Sequence, residues 1–173
     1  MFKRFVPYAH AKNIYEVNIT FFLKHNIKYI FLDLDNTLDS YRQKTPSHKA
    51  IGFVKILKDN KIEPIILSNN TSKRVAKYAT MLGVNYLSKS GKPFAIKINR
   101  YIKKRNLNKK EILLVGDQLM TDISAANGLK IKSIFVEKLV DEDQITTRFN
   151  RLFEKPVKKY LIKHNKLIDW RNL

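Results

Sequence analysis

The sequence predicts an α/β fold: a parallel five-stranded sheet lying between helices, with no cap domain. Three observations carry this. Short apolar runs alternate with segments of helical period, five times over. Each run is strand-sized, far below the roughly 20 apolar residues needed to span a bilayer. The chain has 173 residues, enough to bury one full core but not two ordinary ones. It is therefore read as one domain, 1–173. Its core is about 27–136, preceded by a basic and aromatic lead-in (1–26) and followed by a helical extension (137–173).

The elements follow in order. Ile27 to Leu32 is rich in β-branched and aromatic residues and reads as a buried strand. Residues 46–59 read as a helix through Ala50, Phe53, Val54 and Leu57, with Pro46 in its first turn. Ile62 to Leu67 is the second strand. Ser72 to Leu82 is the second helix, opened by Thr71 or Ser72 and stopped by Gly83. Tyr86 and Leu87 form a short third strand. Pro93 to Arg105 reads as a helix presenting Phe94, Ile98 and Tyr101 on one face. Ile112 to Val115 is the fourth strand, Leu119 to Asn127 a short helix ended by Gly128, and Ile131 to Val136 the fifth strand. From Gln144 to Lys166 apolar residues recur at helical spacing, and Pro156 is expected to kink that helix or start a second one.

Lys plus Arg is 34 against 15 for Asp plus Glu, a formal charge of +19. Such a surface favours an anionic partner: phosphorylated molecules, an anionic membrane, or nucleic acid. Lysines outnumber arginines 26 to 8. Coding bias accounts for that ratio but not for the scarcity of acids. There is no cysteine, which excludes disulfides, thiolate metal sites and cysteine nucleophiles. The basic first residues, Met1 to His10, have no apolar signal region behind them, so a cytoplasmic location is expected, with peripheral contact to a membrane left open.

Ligands of a parallel sheet bind beyond the carboxyl ends of its strands. Four successive strand ends here supply Asp33-Leu34-Asp35-Asn36-Thr37, then Ser68-Asn69-Asn70, then Gly91-Lys92-Pro93, then Gly116-Asp117 with Asp122 five residues on. This set suits phosphoryl transfer to an aspartate. A phosphate monoester repels nucleophiles until its charge is neutralised, and Mg²⁺, which prefers carboxylate oxygens, does that. Asp33 and Asp117 can hold the metal, and Asp33 can attack phosphorus. Asp35, two residues on, shares the side of Asp33 by strand period and can exchange a proton with the leaving oxygen. Ser68 and nearby backbone N–H groups can hold phosphoryl oxygens, and Lys92 supplies a fixed positive charge. Asp122 can bind the metal through water or fix Lys92. Each piece alone has a blander reading: turn residue, helix cap or solvated lysine. Their order at four consecutive strand ends is what points to chemistry.

These motifs resemble the haloacid dehalogenase (HAD) superfamily, whose Rossmann-like fold carries them as Phe31 to Leu38, Leu67 to Asn70, Gly91 to Pro93 and Gly116 to Asp122. The resemblance implies a phosphatase with Asp33 as nucleophile and Asp35 as general acid/base. It also implies Mg²⁺ held by Asp33, the Asp35 backbone carbonyl and Asp117, with Asp122 beside it. Thr37, Ser68, Asn69 and Lys92 are the expected phosphate-binding residues. Asn36, the Leu-Ser-Asn-Asn form of the second motif, Phe5-Val6-Pro7 and Thr147 to Arg151 look most like the subfamily IIIA phosphatases of the YqeG family. Mitochondrial phosphatidylglycerophosphate phosphatases are relatives of that family.

Asp33 to Ser68 holds one loop and one helix, and Ser68 to Lys92 one helix and a short strand, so neither interval has room for a lid. An uncapped site reaches large substrates such as a lipid head group, a phosphoprotein or a nucleic-acid end. Two segments are candidates for an anionic surface: Phe2 to Tyr8, and the lysine-rich helix from Gln144 to Lys166. Simple packing of both on the domain is the plainer expectation. Other readings are a basic RNA-, ribosome- or GTPase-binding protein on the same scaffold, and a nucleotide or phosphoprotein phosphatase. A receiver domain also uses Asp, Ser/Thr and Lys, but there the carboxylate pair precedes the lysine instead of following it.

Overall fold

The structure, a computed structural model, describes residues 2–70, 72–140 and 145–173, with the side chains of 72 and 145–152 excepted. Its strands are β1 (Ala9–Ala11), β2 (Tyr29–Asp33), β3 (Glu63–Leu67), β4 (Asn85–Leu87), β5 (Ile112–Gly116) and β6 (Lys132–Val136). Its α-helices are α1 (Ile19–Lys24), α2 (His48–Asp59), α3 (Ser72–Leu82), α4 (Ile96–Lys104), α5 (Ser124–Leu129) and α6 (Ile145–Lys163). The strands form one sheet in the order β1-β6-β5-β2-β3-β4, and every pairing is parallel.

Six strands stand where five were expected. The extra one is β1, inside the segment read as a lead-in, which pairs Ala9 with Ile134 and Ala11 with Val136. It is only three residues long and lies at an edge, so it makes no apolar run. Its outer side is partly covered: the His10 N–H donates to the Ile168 carbonyl at 2.7 Å, which shields an edge that would otherwise invite pairing.

The central strands are buried on both sides, and alternate residues enter different cores. Ile30, Leu32, Ile66, Leu113 and Val115 join Phe53 and Leu57 of α2 and Val75, Tyr78 and Leu82 of α3. Phe31, Ile65, Leu67, Ile112 and Leu114 join Ile98 and Ile102 of α4 and Ala125, Ala126 and Leu129 of α5. A third cluster holds Leu119, Ile123, Phe135, Val157 and Leu161, with Phe2, Phe5 and Val6 packed on it. The aromatic start of the chain is thus used in packing, and so are Val157 and Leu161 of α6.

β2 lies between β3 and β5. The chain runs outward from β2 through β3 to β4, then crosses to β5 and β6 on the other side. This reversal opens a crevice at the carboxyl ends of β2 and β5, the usual ligand position in such sheets.

Four local expectations change. Pro46 lies outside α2, because Ser47 is the N-cap, accepting from the Ala50 N–H at 3.1 Å. The third predicted helix starts at Ile96 and not Pro93, because Ala95 takes a left-handed conformation (φ 56°) that breaks the helical path; Phe94 is therefore outside the helix and 81% exposed. Leu119–Ile123 forms a π-helical turn leading into α5, and Gly128 lies inside α5, whose C-cap is Lys130 with φ 59°. Pro156 lies within α6, a single 19-residue helix. Thr71, named as a cap, lies outside the described residues, as does Gln144. Among the described residues no helix is long and apolar enough to cross a membrane.

Candidate active site

Asp33 is the last residue of β2, so its carboxyl projects from the carboxyl end of the central strand. Lys92 reaches it from the loop after β4, its Nζ donating to Asp33 Oδ1 at 2.6 Å and to Asp122 Oδ1 at 2.6 Å. All three side chains are buried. Asp117 follows β5 and is also buried. Asp33, Asp117 and Asp122 each offer a carboxylate oxygen, and those oxygens lie within 4.8 Å of one another.

The approach of Asp122 depends on local backbone chemistry. The π-helical turn carries Asp122 back toward β5, and Asp122 Oδ2 accepts from the Gln118 N–H at 3.1 Å. Gly116 is what makes room: a Cβ there would stand 2.3 Å from Asp122 Cγ, closer than any real contact.

Lys92 is fixed by its loop. Asn69 Oδ1 accepts from the Lys92 N–H at 3.1 Å and from Ser90 Oγ at 2.9 Å, and Asn69 Nδ2 donates to the Lys92 carbonyl at 3.0 Å. The Ser90 N–H donates to the Ser68 carbonyl at 3.0 Å, tying this loop to the one after β3. Gly91 takes φ 74°, a conformation natural to glycine. Ser68 is buried, with its Oγ accepting from the Asn70 N–H at 3.0 Å.

The loop after Asp33 is gripped by α3. Asp35 Oδ1 accepts from Arg74 Nη1 at 2.5 Å and Asp35 Oδ2 from Asn70 Nδ2 at 2.5 Å. One helical turn on, the Tyr78 hydroxyl donates to buried Asp39 Oδ2 at 2.5 Å, which also accepts from the Ser47 N–H at 2.9 Å. The Asn36 N–H donates to the Asp39 carbonyl at 2.8 Å, and Asn36 takes φ 63° to close this turn. Thr37 is buried in the turn, and its Oγ1 makes no hydrogen bond within the described residues.

Electrostatics follow from burial and crowding. Burial pushes the Asp33 carboxyl well above the ordinary carboxylate range; Lys92 opposes this, and Asp122, Asp117 and Asp35 add to it. For Lys92, burial works to lower the pKa, but Asp122 and Asp33 outweigh it and hold the ammonium above the usual lysine range. The four buried side chains Asp33, Asp117, Asp122 and Lys92 set three acids against one base. A divalent cation between the carboxylates would offset the excess, so the donor set fits a hard, oxygen-preferring metal.

The sequence-predicted residues therefore fall into groups. Asp33, Lys92, Asp117 and Asp122 meet directly. Ser68 and Asn69 lie beside them at the end of β3, with the Asn69 carboxamide engaged by the Lys92 loop. The Asp35 side chain stands outside the carboxylate cluster, held by Arg74 and Asn70. Sequence reasoning missed Arg74, Asn70 as a partner of Asp35, and the pairing of Asp39 with Tyr78. The one available signal was the helical spacing of Arg74 and Tyr78 (i, i+4), which puts both on one side of α3.

A doubly flanked parallel sheet with buried carboxylates and a lysine at its switch point, the carboxylate pair following the lysine, fits an enzyme that hydrolyses phosphate esters. Comparison with known proteins agrees. The family model described as haloacid dehalogenase-like hydrolase matches residues 13–129. The curated "Probable phosphatase YqeG" of Bacillus subtilis (strain 168) is 32% identical over 168 residues, spanning 97% of each chain. The chain belongs to the haloacid dehalogenase superfamily and, within it, to the YqeG phosphatase family. Solved structures show the same fold at low identity. A protein from Listeria monocytogenes serotype 4b matches with a TM-score of 0.55 and 15% identity, over 80% of this chain and 99% of that one. The 3-deoxy-D-manno-octulosonate 8-phosphate phosphatase of Moraxella catarrhalis, solved with magnesium ion, phosphate ion and KDO, matches with a TM-score of 0.50 and 15% identity, over 79% and 91%.

Proposed function

We propose that this phosphatase is Mg²⁺-dependent and hydrolyses a phosphate monoester through an aspartyl-phosphate on Asp33, with residues 1–173 acting as one domain. The observation that carries the reading is the contact of Lys92 with both Asp33 and Asp122, beside Asp117. Asp33, Asp117 and the Asp35 carbonyl would hold the metal, with Asp122 beside it. The metal ion found in the Moraxella enzyme is magnesium, which fits this oxygen donor set. When bound, the cation neutralises phosphoryl charge and keeps Asp33 ionised.

The chain's own residues then do the following. Asp33 forms a bond to phosphorus while the bond to the ester oxygen breaks. Asp35, as general acid, delivers a proton to that oxygen, and the alcohol leaves. Water next attacks phosphorus and yields a proton to Asp35. The bond to Asp33 breaks, inorganic phosphate leaves, and both carboxyls return to their starting states. Lys92 stabilises the charge on the transferring group, and Ser68, Asn69 and Thr37 line the approach of its oxygens.

The substrate we favour is bulky: phosphatidylglycerophosphate or another large phosphomonoester. Supporting this, the described residues between the motifs form no lid, and Phe94 and Ile96, 81% and 68% exposed, lie two and four residues past Lys92. An exposed apolar pair at an anion-binding edge suits an amphiphilic substrate.

The test is a phosphatase screen of the purified chain with Mg²⁺ and with EDTA, covering an aryl phosphate, lipid phosphates, nucleotides and phosphopeptides. Asp33→Asn is expected to abolish turnover while the circular dichroism spectrum stays unchanged. Full activity in that variant would falsify the assignment of the nucleophile.

A further inference from the structure

α3 closes over the loop that follows Asp33, and Arg74 makes two of its hydrogen bonds to that loop. Arg74 Nη1 lies 2.5 Å from Asp35 Oδ1, and Arg74 Nη2 donates to the Gln43 carbonyl at 3.4 Å. Its Nε is buried with no hydrogen-bond partner within the described residues. The second oxygen of Asp35 is taken by Asn70 Nδ2 at 2.5 Å. Both side chains of the ion pair are partly buried, at 25% and 19% exposure. A carboxylate held by two donors from two directions has its rotamer fixed, and water screens this pair less than a surface one.

We infer that Arg74 is a positioning residue for Asp35, fixing the orientation of the carboxyl side chain that serves the leaving oxygen. The inference rests on Asp35 being the general acid and base, as proposed above. Three features favour positioning over general structural support. The contact is to the Asp35 side chain itself, not merely to its loop. A separate residue of α3, Tyr78, already anchors the loop through Asp39, one turn away. And Asn70, which holds the other oxygen, comes from the strand end that also supplies Ser68.

The consequence depends on the leaving group. An alkoxide is a poor leaving group and needs a well-placed proton, whereas a nitrophenolate departs with little help. A misplaced Asp35 should therefore slow alkyl phosphates much more than nitrophenyl phosphate.

The experiment compares glycerol 3-phosphate with 4-nitrophenyl phosphate on the full chain with Mg²⁺. Arg74→Met is expected to lower kcat on the alkyl ester at least about tenfold more than on the aryl ester, with less than about threefold change in either KM. Arg74→Lys should recover part of that selective loss. In an Asp35→Asn background, Arg74→Met should add no further selective loss. Asn70→Ser, which frees the other oxygen, should show the same selectivity and serves if Arg74→Met does not fold. Equal loss on both esters, no loss, or an effect confined to KM overturns the inference; the last result would make Arg74 a substrate-binding residue. If Asp35→Asn itself shows no leaving-group selectivity while Asp33→Asn is dead, the acid role of Asp35 fails, and this inference with it, but the nucleophile stands.

Discussion

Lys92 Nζ sits 2.6 Å from Asp33 Oδ1, joining two residues 59 positions apart in the chain. The pair sits in a buried pocket that also holds Asp122 and Asp117. Its members depend on each other: without the ammonium the carboxyls repel, and without the carboxyls the ammonium has no reason to be buried.

Lys92→Met follows directly. It removes the charge but keeps the length of the side chain. Taking one partner from a buried ion pair costs about 3–5 kcal/mol, since the remaining charges stay unmatched. Urea denaturation should show a lower midpoint in metal-free buffer, and turnover should be lost. A midpoint equal to wild type would mean that the carboxylates are not mutually strained.

Gly116→Ala tests the close approach at β5. The new methyl would meet Asp122 Cγ at 2.3 Å. Backbone cannot yield easily there, because β5 is paired on both sides, by β2 and β6. Overpacking of this kind costs about 1–3 kcal/mol. The thermal midpoint should fall, and displaced Asp122 should weaken metal binding measured by calorimetry. An unchanged affinity would show that Asp122 does not contribute to the metal site.

Tyr78→Phe isolates the second anchor of the loop. Burial raises the Tyr78 hydroxyl above the ordinary phenol range, and the hydrogen bond to Asp39 adds to this, so the hydroxyl stays a donor at any working pH. Losing that donor leaves the buried Asp39 Oδ2 with the hydrogen bond from the Ser47 N–H. About 1–3 kcal/mol of stability should be lost, read by chemical denaturation. Leaving-group selectivity should stay as in wild type, in contrast to Arg74→Met.

What the sequence could and could not reveal follows from where each residue sits. β2 and β5 are buried on both faces and appear as apolar runs, and β3 carries the shorter run Ile65 to Leu67 after Glu63 and Pro64, which together made the parallel sheet legible. β1 is three residues at an edge, Ala-His-Ala, and its pairing with β6 is a tertiary fact with no local trace. Phe94 has helical spacing to Ile98 and Tyr101 and so reads as part of a helix face, but the left-handed Ala95 interrupts that path. Asp33, Lys92, Asp117 and Asp122 were legible because strand ends are where such sheets bind ligands. Arg74 was not, since an arginine in a helix reads as a solvated one; its partner Asp35 lies 39 residues away.

Glu137 makes stability pH-dependent away from the site. Its pKa is lowered to about 2, first by the hydrogen bond from His10, against the burial penalty, and then by Lys158. His10 Nε2 lies 3.1 Å away and Lys158 Nζ 2.5 Å away, linking β1 and α6 to the end of β6. A lowered carboxyl pKa stabilises the fold above the unfolded value of 4.5, and the contribution is lost as pH falls from there toward about 2. The side chain is 38% exposed, so solvent screening reduces the effect to about 1 kcal/mol. Glu137→Gln should lower the thermal midpoint at neutral pH and match wild type near pH 2. A constant difference across that range would assign the effect to packing instead.

Metal linkage provides the last prediction, and it is independent of turnover. Asp33, Asp117 and Asp122 crowd three acids into a buried space with one lysine. A cation that binds only the folded chain stabilises it by RT ln(1 + [M]/Kd), about 1.4 kcal/mol at a tenfold excess over Kd. Mg²⁺ should therefore raise the thermal midpoint in a saturable way, and EDTA should reverse the rise. Asp117→Asn removes one anionic ligand and some repulsion, so its metal-free midpoint should equal or exceed that of wild type while its response to Mg²⁺ shrinks. A Mg²⁺ response of wild-type size in Asp117→Asn would place the stabilising ion somewhere other than this carboxylate cluster.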